Sequence, residues 1–138
     1  MAGEIVVGYD GTECADAALD AAISLAKELD SKLVITYGYD PSRLGGEVRD
    51  LDQALEERGQ EVTKEAAEKA AGEGVDAEVA VVKRKAAPAL AELAKQRDAR
   101  FIVVGTYSEP PLTGAILGAV PNKLLHIADR PVLVVPAD

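Results

Sequence analysis

The sequence contains few of the residues that build disulfides, metal clusters and aromatic cores. Its 138 residues include one cysteine, one histidine and one phenylalanine, and they include no tryptophan. A single cysteine excludes an intramolecular disulfide, and one cysteine with one histidine excludes the usual zinc clusters. The core must therefore be built from alanine, valine, leucine and isoleucine.

Basic residues and long apolar runs are also scarce. Fifteen Lys and Arg residues stand against 24 Asp and Glu residues, which gives a net charge of −9 at pH 7. This negative field opposes binding of DNA or RNA phosphates. No apolar run approaches the roughly 20 residues that span a bilayer, and no signal peptide precedes the first strand-like run. We therefore expect a cytoplasmic protein with neither a nucleic-acid nor a membrane partner.

Apolar runs alternate along the chain with amphipathic helical segments. The runs predict five strands, at residues 5–9, 33–37, 75–82, 101–104 and 132–135. The helical periodicity predicts four helices, at residues 12–29, 50–71, 87–96 and 122–128, with Thr12 as the first N-cap and Pro121 in the last helix's first turn. This alternation is typical of a parallel sheet covered by helices on both faces. We expect one α/β domain over residues 1–138.

The residues that follow the predicted strands are candidates for a binding site, because ligands of such sheets bind at the carboxyl ends of the strands. All four tyrosines fall there: Tyr9, Tyr37, Tyr39 and Tyr107. The glycine-containing segment 105–119 ends at a helix start, where backbone N–H groups favour phosphate. Its glycines match neither the Walker pattern nor Gly-x-Gly-x-x-Gly. By spacing alone, the segment is either a phosphate site or a loop with glycines at its turns.

Other polar residues have a structural interpretation beside a functional one. Asp10 either caps the turn before the first helix or binds a ligand. The basic run 83–85 either protects an edge strand from aggregation or reaches a nucleotide phosphate or an acidic partner. Cys14 is interpreted as a small structural residue, and His126 as a structural or surface residue without a nucleophile beside it.

The chain resembles the universal stress protein family over its whole length, with the same element order, and two parts carry the family's motifs. Residues 5–12 (IVVGYDGT) are similar to the family's opening strand and Asp-x-Ser/Thr turn, and the family's C-terminal signature resembles segments 103–105, 114–118, 123–126 and 131–136. The resemblance implies an adenine nucleotide α-hydrolase-like fold, which is a three-layer α/β/α sandwich with a five-stranded parallel sheet of order 3-2-1-4-5. It also implies a homodimer through the last strand, whose apolar run would otherwise stand at an open sheet edge. The predicted interface residues are Val132, Leu133, Val134 and Val135.

Many members of this family bind ATP through Gly-x-x-Gly, nine residues, and Gly-Ser/Thr. Here the pattern falls on Gly105, Ser108, Gly118 and Ala119, so Ser108 replaces a glycine and Ala119 replaces a hydroxyl residue. A lost hydrogen bond to a charged phosphate is worth about 1.5–3 kcal/mol. The resemblance implies that Asp10 contacts ribose or a nucleotide-bound Mg²⁺. The residues predicted to bind nucleotide are Gly8, Tyr9, Asp10, Gly38, Val104, Gly105, Ser108, Gly114, Gly118, Ala119 and Val120; of these, Gly38 stands where the family has an apolar residue against adenine.

Three functions follow from these observations. The leading hypothesis is a regulatory protein of the stress response that binds ATP or another adenine nucleotide. The second is a nucleotide-free homodimeric interaction protein, which the departures at Ser108 and Ala119 favour. The third is a slow ATPase or autophosphorylating enzyme, which would need a base or a water-positioning group near the terminal phosphate. The sequence shows no such group, so no catalytic residue is predicted and binding is favoured over catalysis.

Overall fold

Five parallel strands form one sheet in the computed structural model, which describes residues 3–40, 48–106 and 117–137. The strand order is β3-β2-β1-β4-β5, as predicted. The strands are β1 (Glu4–Gly8), β2 (Lys32–Gly38), β3 (Ala77–Val82), β4 (Phe101–Gly105) and β5 (Val132–Val135). The helices are α1 (Glu13–Leu29), α2 (Val48–Gly72), α3 (Ala86–Gln96) and α4 (Ala119–Ile127). Within these ranges, no helix is long and apolar enough to cross a membrane.

Two apolar cores cover the two faces of the sheet and complete the three layers. Helices α1 and α2 pack on one face, against Ile5, Val7 and Ile35 among others. Helices α3 and α4 pack on the other face, against Val6 and Val34. Residues of the central strand β1 thus enter both cores in alternation. This double burial explains why the strand is apolar at every inner position.

Several element boundaries differ from the prediction by one to three residues, and two of these differences have a local cause. Helix α4 begins at Ala119, three residues before the predicted start, with Pro121 as its third residue. The proline is tolerated there because first-turn N–H groups have no intrahelical acceptor. Strand β3 begins at Ala77 instead of Val75, because the N–H of Val75 donates to the Ala70 carbonyl and closes the end of α2.

Candidate functional site

A cavity of about 300 Å³ opens at the carboxyl edge of the sheet. The ends of β1, β2 and β4 form its floor, and the N-terminal parts of α1, α3 and α4 form its walls. Its lining residues are Gly8, Tyr9, Asp10, Thr12, Ala15, Thr36, Tyr37, Gly38, Ala86, Leu90, Val104, Gly105, Val120 and Pro121. Three helix N-termini thus converge on one site, and each brings the positive end of a helix dipole.

The cavity brings together seven of the eleven residues predicted to bind nucleotide. These are Gly8, Tyr9, Asp10, Gly38, Val104, Gly105 and Val120. Gly118 and Ala119 immediately precede Val120 but do not line the cavity. Ser108 and Gly114 lie outside the described residues, as does Tyr107. Among the other lining residues, Tyr37 was a candidate as one of the four tyrosines at this sheet edge, and Thr36 precedes it in the same predicted strand. Leu90 was missed, because it reaches the cavity only through the packing of α3.

Asp10 organises the turn between β1 and α1. Its Oδ1 accepts a hydrogen bond from the Thr12 N–H at 3.0 Å and another from the Thr12 hydroxyl at 2.6 Å. The Thr12 oxygen in turn accepts from the Ala15 N–H at 3.3 Å, as predicted for an N-cap. Gly11 between them has φ +86°, which favours glycine. Asp10 is therefore a turn residue and, at the same time, the one carboxylate among the described lining residues.

Tyr9 lines the same cavity, and a hydrogen bond holds its hydroxyl in place. It donates to Asp16 Oδ1 at 2.5 Å. Burial, followed by the hydrogen bond to Asp16, raises the pKa of the Tyr9 phenol well above its usual range. Tyr9 therefore contributes a neutral aromatic wall whose hydroxyl is already bound to α1.

A glycine in the middle of α2 allows Tyr37 to occupy its place. A Cβ on Gly59 would come within 2.6 Å of Cδ1 of the Tyr37 ring, so a larger residue would displace that ring. The Tyr39 ring lies 6.3 Å from it, centroid to centroid. Burial raises the pKa of Tyr37, and the nearby Arg58 guanidinium partly opposes this rise. Gly59 therefore determines the shape of the cavity rim.

Gly105 and Gly118 frame the site on the side of β4 and α4. A Cβ on Gly105 would lie 2.6 Å from the Cys14 carbonyl oxygen, so only glycine allows this close approach of β4 to α1. The Gly118 N–H donates to the Thr106 carbonyl at 2.7 Å and already has a protein acceptor. The N–H groups of Ala119 and Val120, in the first turn of α4, have no intrahelical acceptor. These two groups are the donors that α4 offers to an anion.

The remaining candidates have protein partners or exposed positions. In the basic run after the edge strand β3, Lys83 pairs with Asp52 at 2.6 Å, and Arg84 pairs with Glu92. Cys14 is buried, with its Sγ 3.8 Å from the Thr106 hydroxyl. His126 is exposed, with Nδ1 3.0 Å from the Asn122 carbonyl oxygen. In the described part of the chain, no group of three or more His, Cys, Asp or Glu residues is arranged to hold a metal ion.

Known proteins resemble this chain over nearly its whole length. The model of the universal stress protein family matches residues 1–136. Universal stress protein YxiE of Bacillus subtilis (strain 168) is 34% identical over 147 residues, covering 98% of this chain and 99% of that protein. A crystal structure of a universal stress protein in complex with cAMP is 28% identical, with a TM-score of 0.78, and 99% of this chain and 98% of that one are covered. The fold is also that of UspA from Lactobacillus plantarum, with a TM-score of 0.86, 18% identity and coverage of 96% and 97%.

Proposed function

Because the chain belongs to the universal stress protein family, we propose that it binds an adenine nucleotide in the cavity at the carboxyl edge of its sheet. In this proposal it is a binding and regulatory protein of the stress response. The observation that carries the proposal is the cavity itself, where three helix N-termini meet one carboxylate and an apolar wall. A similar protein bound to cAMP supports an adenine nucleotide as the ligand class.

Each part of an adenine nucleotide has a complementary surface in this arrangement. Asp10 is placed to accept hydrogen bonds from ribose hydroxyls, and Leu90 and Val104 offer an apolar surface to a base. The N–H groups of Ala119 and Val120, which have no intrahelical acceptor, suit a phosphate together with the α4 dipole. These N–H groups remain although Ala119 lacks the hydroxyl that the family pattern places there.

ATP with Mg²⁺ is the form that the family resemblance implies, and the Asp10 carboxylate has the chemistry that this metal takes. Mg²⁺ in nucleotide sites takes one or two carboxylates together with the substrate's phosphates and water. Asp10 supplies one such carboxylate. Its Oδ1 accepts both hydrogen bonds from Thr12. Asp10 would hold either the ribose hydroxyls, as above, or the metal of a bound Mg·nucleotide.

A thermal-shift titration tests the proposal. Mg·ATP, AMP and cAMP are titrated separately, with GTP beside them and phosphate release measured in the ATP samples. A ligand at 100 times its Kd adds about 2.7 kcal/mol to the stability of the folded state. We expect a saturable rise in Tm with at least one adenine nucleotide. No rise with any of them at millimolar concentration would contradict the proposal, and steady phosphate release would favour an ATPase instead.

A matched pair of variants on α4 tests whether the nucleotide-induced rise in Tm comes from binding in the cavity. Val120 lines the cavity, whereas Leu125 on the same helix is 58% exposed and does not line it. Val120→Phe should fill the cavity and abolish the nucleotide-induced shift, while Leu125→Ala should retain it. An unchanged shift in Val120→Phe would place the nucleotide elsewhere.

A second function, that of a homodimeric interaction protein, is favoured by the edge strand β5. Leu133 there is 40% exposed. The outer side of an apolar edge strand presents backbone N–H and C=O groups with which a second copy of the chain can pair. Val79, on the opposite edge strand β3, is 38% exposed and is a matched control. Light scattering should show a dimer that Leu133→Lys dissociates and Val79→Lys does not. A monomeric wild-type protein would exclude this assembly.

A further inference from the structure

Thr36 places a hydroxyl in the floor of the cavity, near the end of β2. The residue is 2% exposed, and it is one of the lining residues. Successive side chains of a strand point to opposite faces of the sheet, so Thr36 points to the same face as Val34. Val34 packs in the core beneath α3 and α4. The hydroxyl therefore lies on the face of the sheet on which α4 offers its N–H groups to an anion.

Gly8 leaves space beside Thr36. The two residues are register partners on the neighbouring strands β1 and β2. A Cβ on Gly8 would come 3.0 Å from Cδ1 of Leu90 and 3.2 Å from Cγ1 of Val104. These two apolar side chains therefore surround the space at Gly8, and a side chain at this position would fill it. Thr36 consequently adds a polar group to the part of the cavity that Leu90 and Val104 make apolar.

The Thr36 hydroxyl keeps hydrogen-bonding capacity for a ligand. It donates to the Val34 carbonyl at 3.4 Å, whereas O–H···O hydrogen bonds are ordinarily about 2.5–3.0 Å long. Among the residues that the structure describes, the hydroxyl has no other hydrogen-bond partner. A hydroxyl oxygen can accept hydrogen bonds while it donates one, so the Thr36 oxygen remains an acceptor.

The other hydroxyls of the described lining are already bound or point elsewhere. Those of Tyr9 and Thr12 donate to carboxylates of the protein. Tyr37 follows Thr36 in the strand, so its ring points to the opposite face of the sheet, where it packs beside Gly59 of α2. Among the described lining residues, Thr36 therefore supplies the hydroxyl that a ligand held between α3 and α4 can use.

An acceptor in an apolar floor complements one group of the adenine base. The ring nitrogens of adenine accept hydrogen bonds, and its exocyclic 6-amino group donates them. While Thr36 donates to Val34, its oxygen is an acceptor, and the amino group is the matching donor. A donor that is buried without an acceptor costs free energy, so this oxygen favours the depth of insertion at which the amino group reaches it.

We propose that Thr36 is a specificity-determining residue of the cavity, where its hydroxyl oxygen accepts a hydrogen bond from the 6-amino group of a bound adenine. This inference rests on the proposed function, because it assigns a role within the same site. It leaves the phosphate at the N-terminus of α4, since Thr36 lies beside the apolar residues that face the base.

Calorimetric titration of the full chain with two ligands tests this role. The ligands are AMP and purine ribonucleoside 5′-monophosphate, which carries hydrogen in place of the 6-amino group. Thr36→Val removes the hydroxyl and keeps the branched shape of the side chain. We expect AMP affinity at least about fivefold weaker in Thr36→Val, because the amino group is then buried without an acceptor. Affinity for the ligand without the amino group should stay within about twofold of wild type.

Two further variants are controls. Thr63→Val removes another buried hydroxyl, which donates to the Gly59 carbonyl at 2.7 Å and belongs to a residue outside the described lining. Its AMP affinity should stay within about twofold of wild type. Thr36→Ser keeps a hydroxyl at the same place, so it should keep most of the AMP affinity that Thr36→Val loses.

Three outcomes would overturn the inference and leave the proposed function standing. Unchanged AMP affinity in Thr36→Val would remove the hydroxyl from contact with the base. Equal loss of affinity for both ligands would mean that Thr36 shapes the cavity without binding the amino group. Equal loss of AMP affinity in Thr36→Val and Thr63→Val would indicate a general loosening of the fold. A wild-type protein that binds neither ligand would refute the proposed function itself and the inference with it.

Discussion

Gly38 lies directly against the backbone of Ala86. A Cβ on Gly38 would come within 2.8 Å of the Ala86 Cα and 2.9 Å of the Arg84 carbonyl oxygen. The end of β2 and the start of α3 therefore meet through their backbones. The family resemblance places an apolar side chain at this position, and here the connection between β3 and α3 occupies that space instead.

This contact predicts that Gly38 tolerates no side chain. Gly38→Val should lower the free energy of unfolding by about 1–3 kcal/mol, because overpacking forces the backbone of residues 84–86 to shift. Urea denaturation measures the effect. Gly72→Ala is the control, since nothing lies within 4 Å of a Cβ there, and its stability should stay close to that of wild type. A Gly38→Val variant as stable as Gly72→Ala would show that the connection moves freely.

Two substitutions of Asp10 separate its role in the turn from its role toward a ligand. Asp10→Asn keeps an oxygen that accepts from Thr12, so the free energy of unfolding should change little. Asp10→Ala removes the acceptor and should cost about 1 kcal/mol. Both variants lose the charge and should bind Mg·ATP more weakly. Full Mg·ATP affinity in Asp10→Asn, measured by calorimetry, would leave Asp10 as a turn residue alone.

The environment of Tyr9 predicts a loss of stability at alkaline pH. The pKa of its phenol is raised in the folded state above the unfolded value of about 10, so the folded protein holds this proton more tightly. The resulting stabilisation is fully present below pH 10 and is lost as pH rises above it. Tyr9→Phe removes this contribution, although Tyr37 and Tyr39, whose pKa values are also raised, retain theirs. Urea titrations from pH 8 to 11 should therefore show a shallower decline in Tyr9→Phe. Parallel declines would contradict the assignment.

The C-cap of α1 offers a stabilising substitution. Asp30 has φ 52° and ψ 48°, and its backbone N–H donates to the Ala26 carbonyl. This left-handed conformation favours glycine. Asp30→Gly should raise the free energy of unfolding by about 0.5–1 kcal/mol, whereas Asp30→Ala should not raise it. Thermal melts compare the two variants. A higher Tm for Asp30→Ala than for Asp30→Gly would show that the left-handed backbone conformation does not decide the stability of this cap.

Apolar runs and turn residues are local signals, so they allowed the five parallel strands, the two helical layers and the N-cap at Thr12 to be predicted. The strand order came instead from the resemblance to the family. The sequence also allowed most of the cavity floor to be predicted, since strand ends meet at one sheet edge. The start of α4 was predicted three residues late because Pro121 suits several positions of a first turn.

The contacts that shape the cavity could not be predicted in this way. Tyr9 reaches Asp16, and Leu90 reaches the space beside Gly8, only after α1 and α3 have packed on the sheet. The space beside Gly38 is likewise filled by residues far away in sequence. Such contacts depend on tertiary packing, for which spacing along the chain gives no signal.

A titration of ¹⁵N-labelled protein with AMP, followed by amide chemical shifts, shows directly whether the cavity binds an adenine nucleotide. We expect saturable shifts that cluster at the carboxyl edge of the sheet, with Gly38, Gly105 and Val120 among the largest, and little change at the opposite edge around Glu4. Shifts confined to β5 and α4 away from the cavity, or no shifts at millimolar AMP, would contradict binding in the cavity.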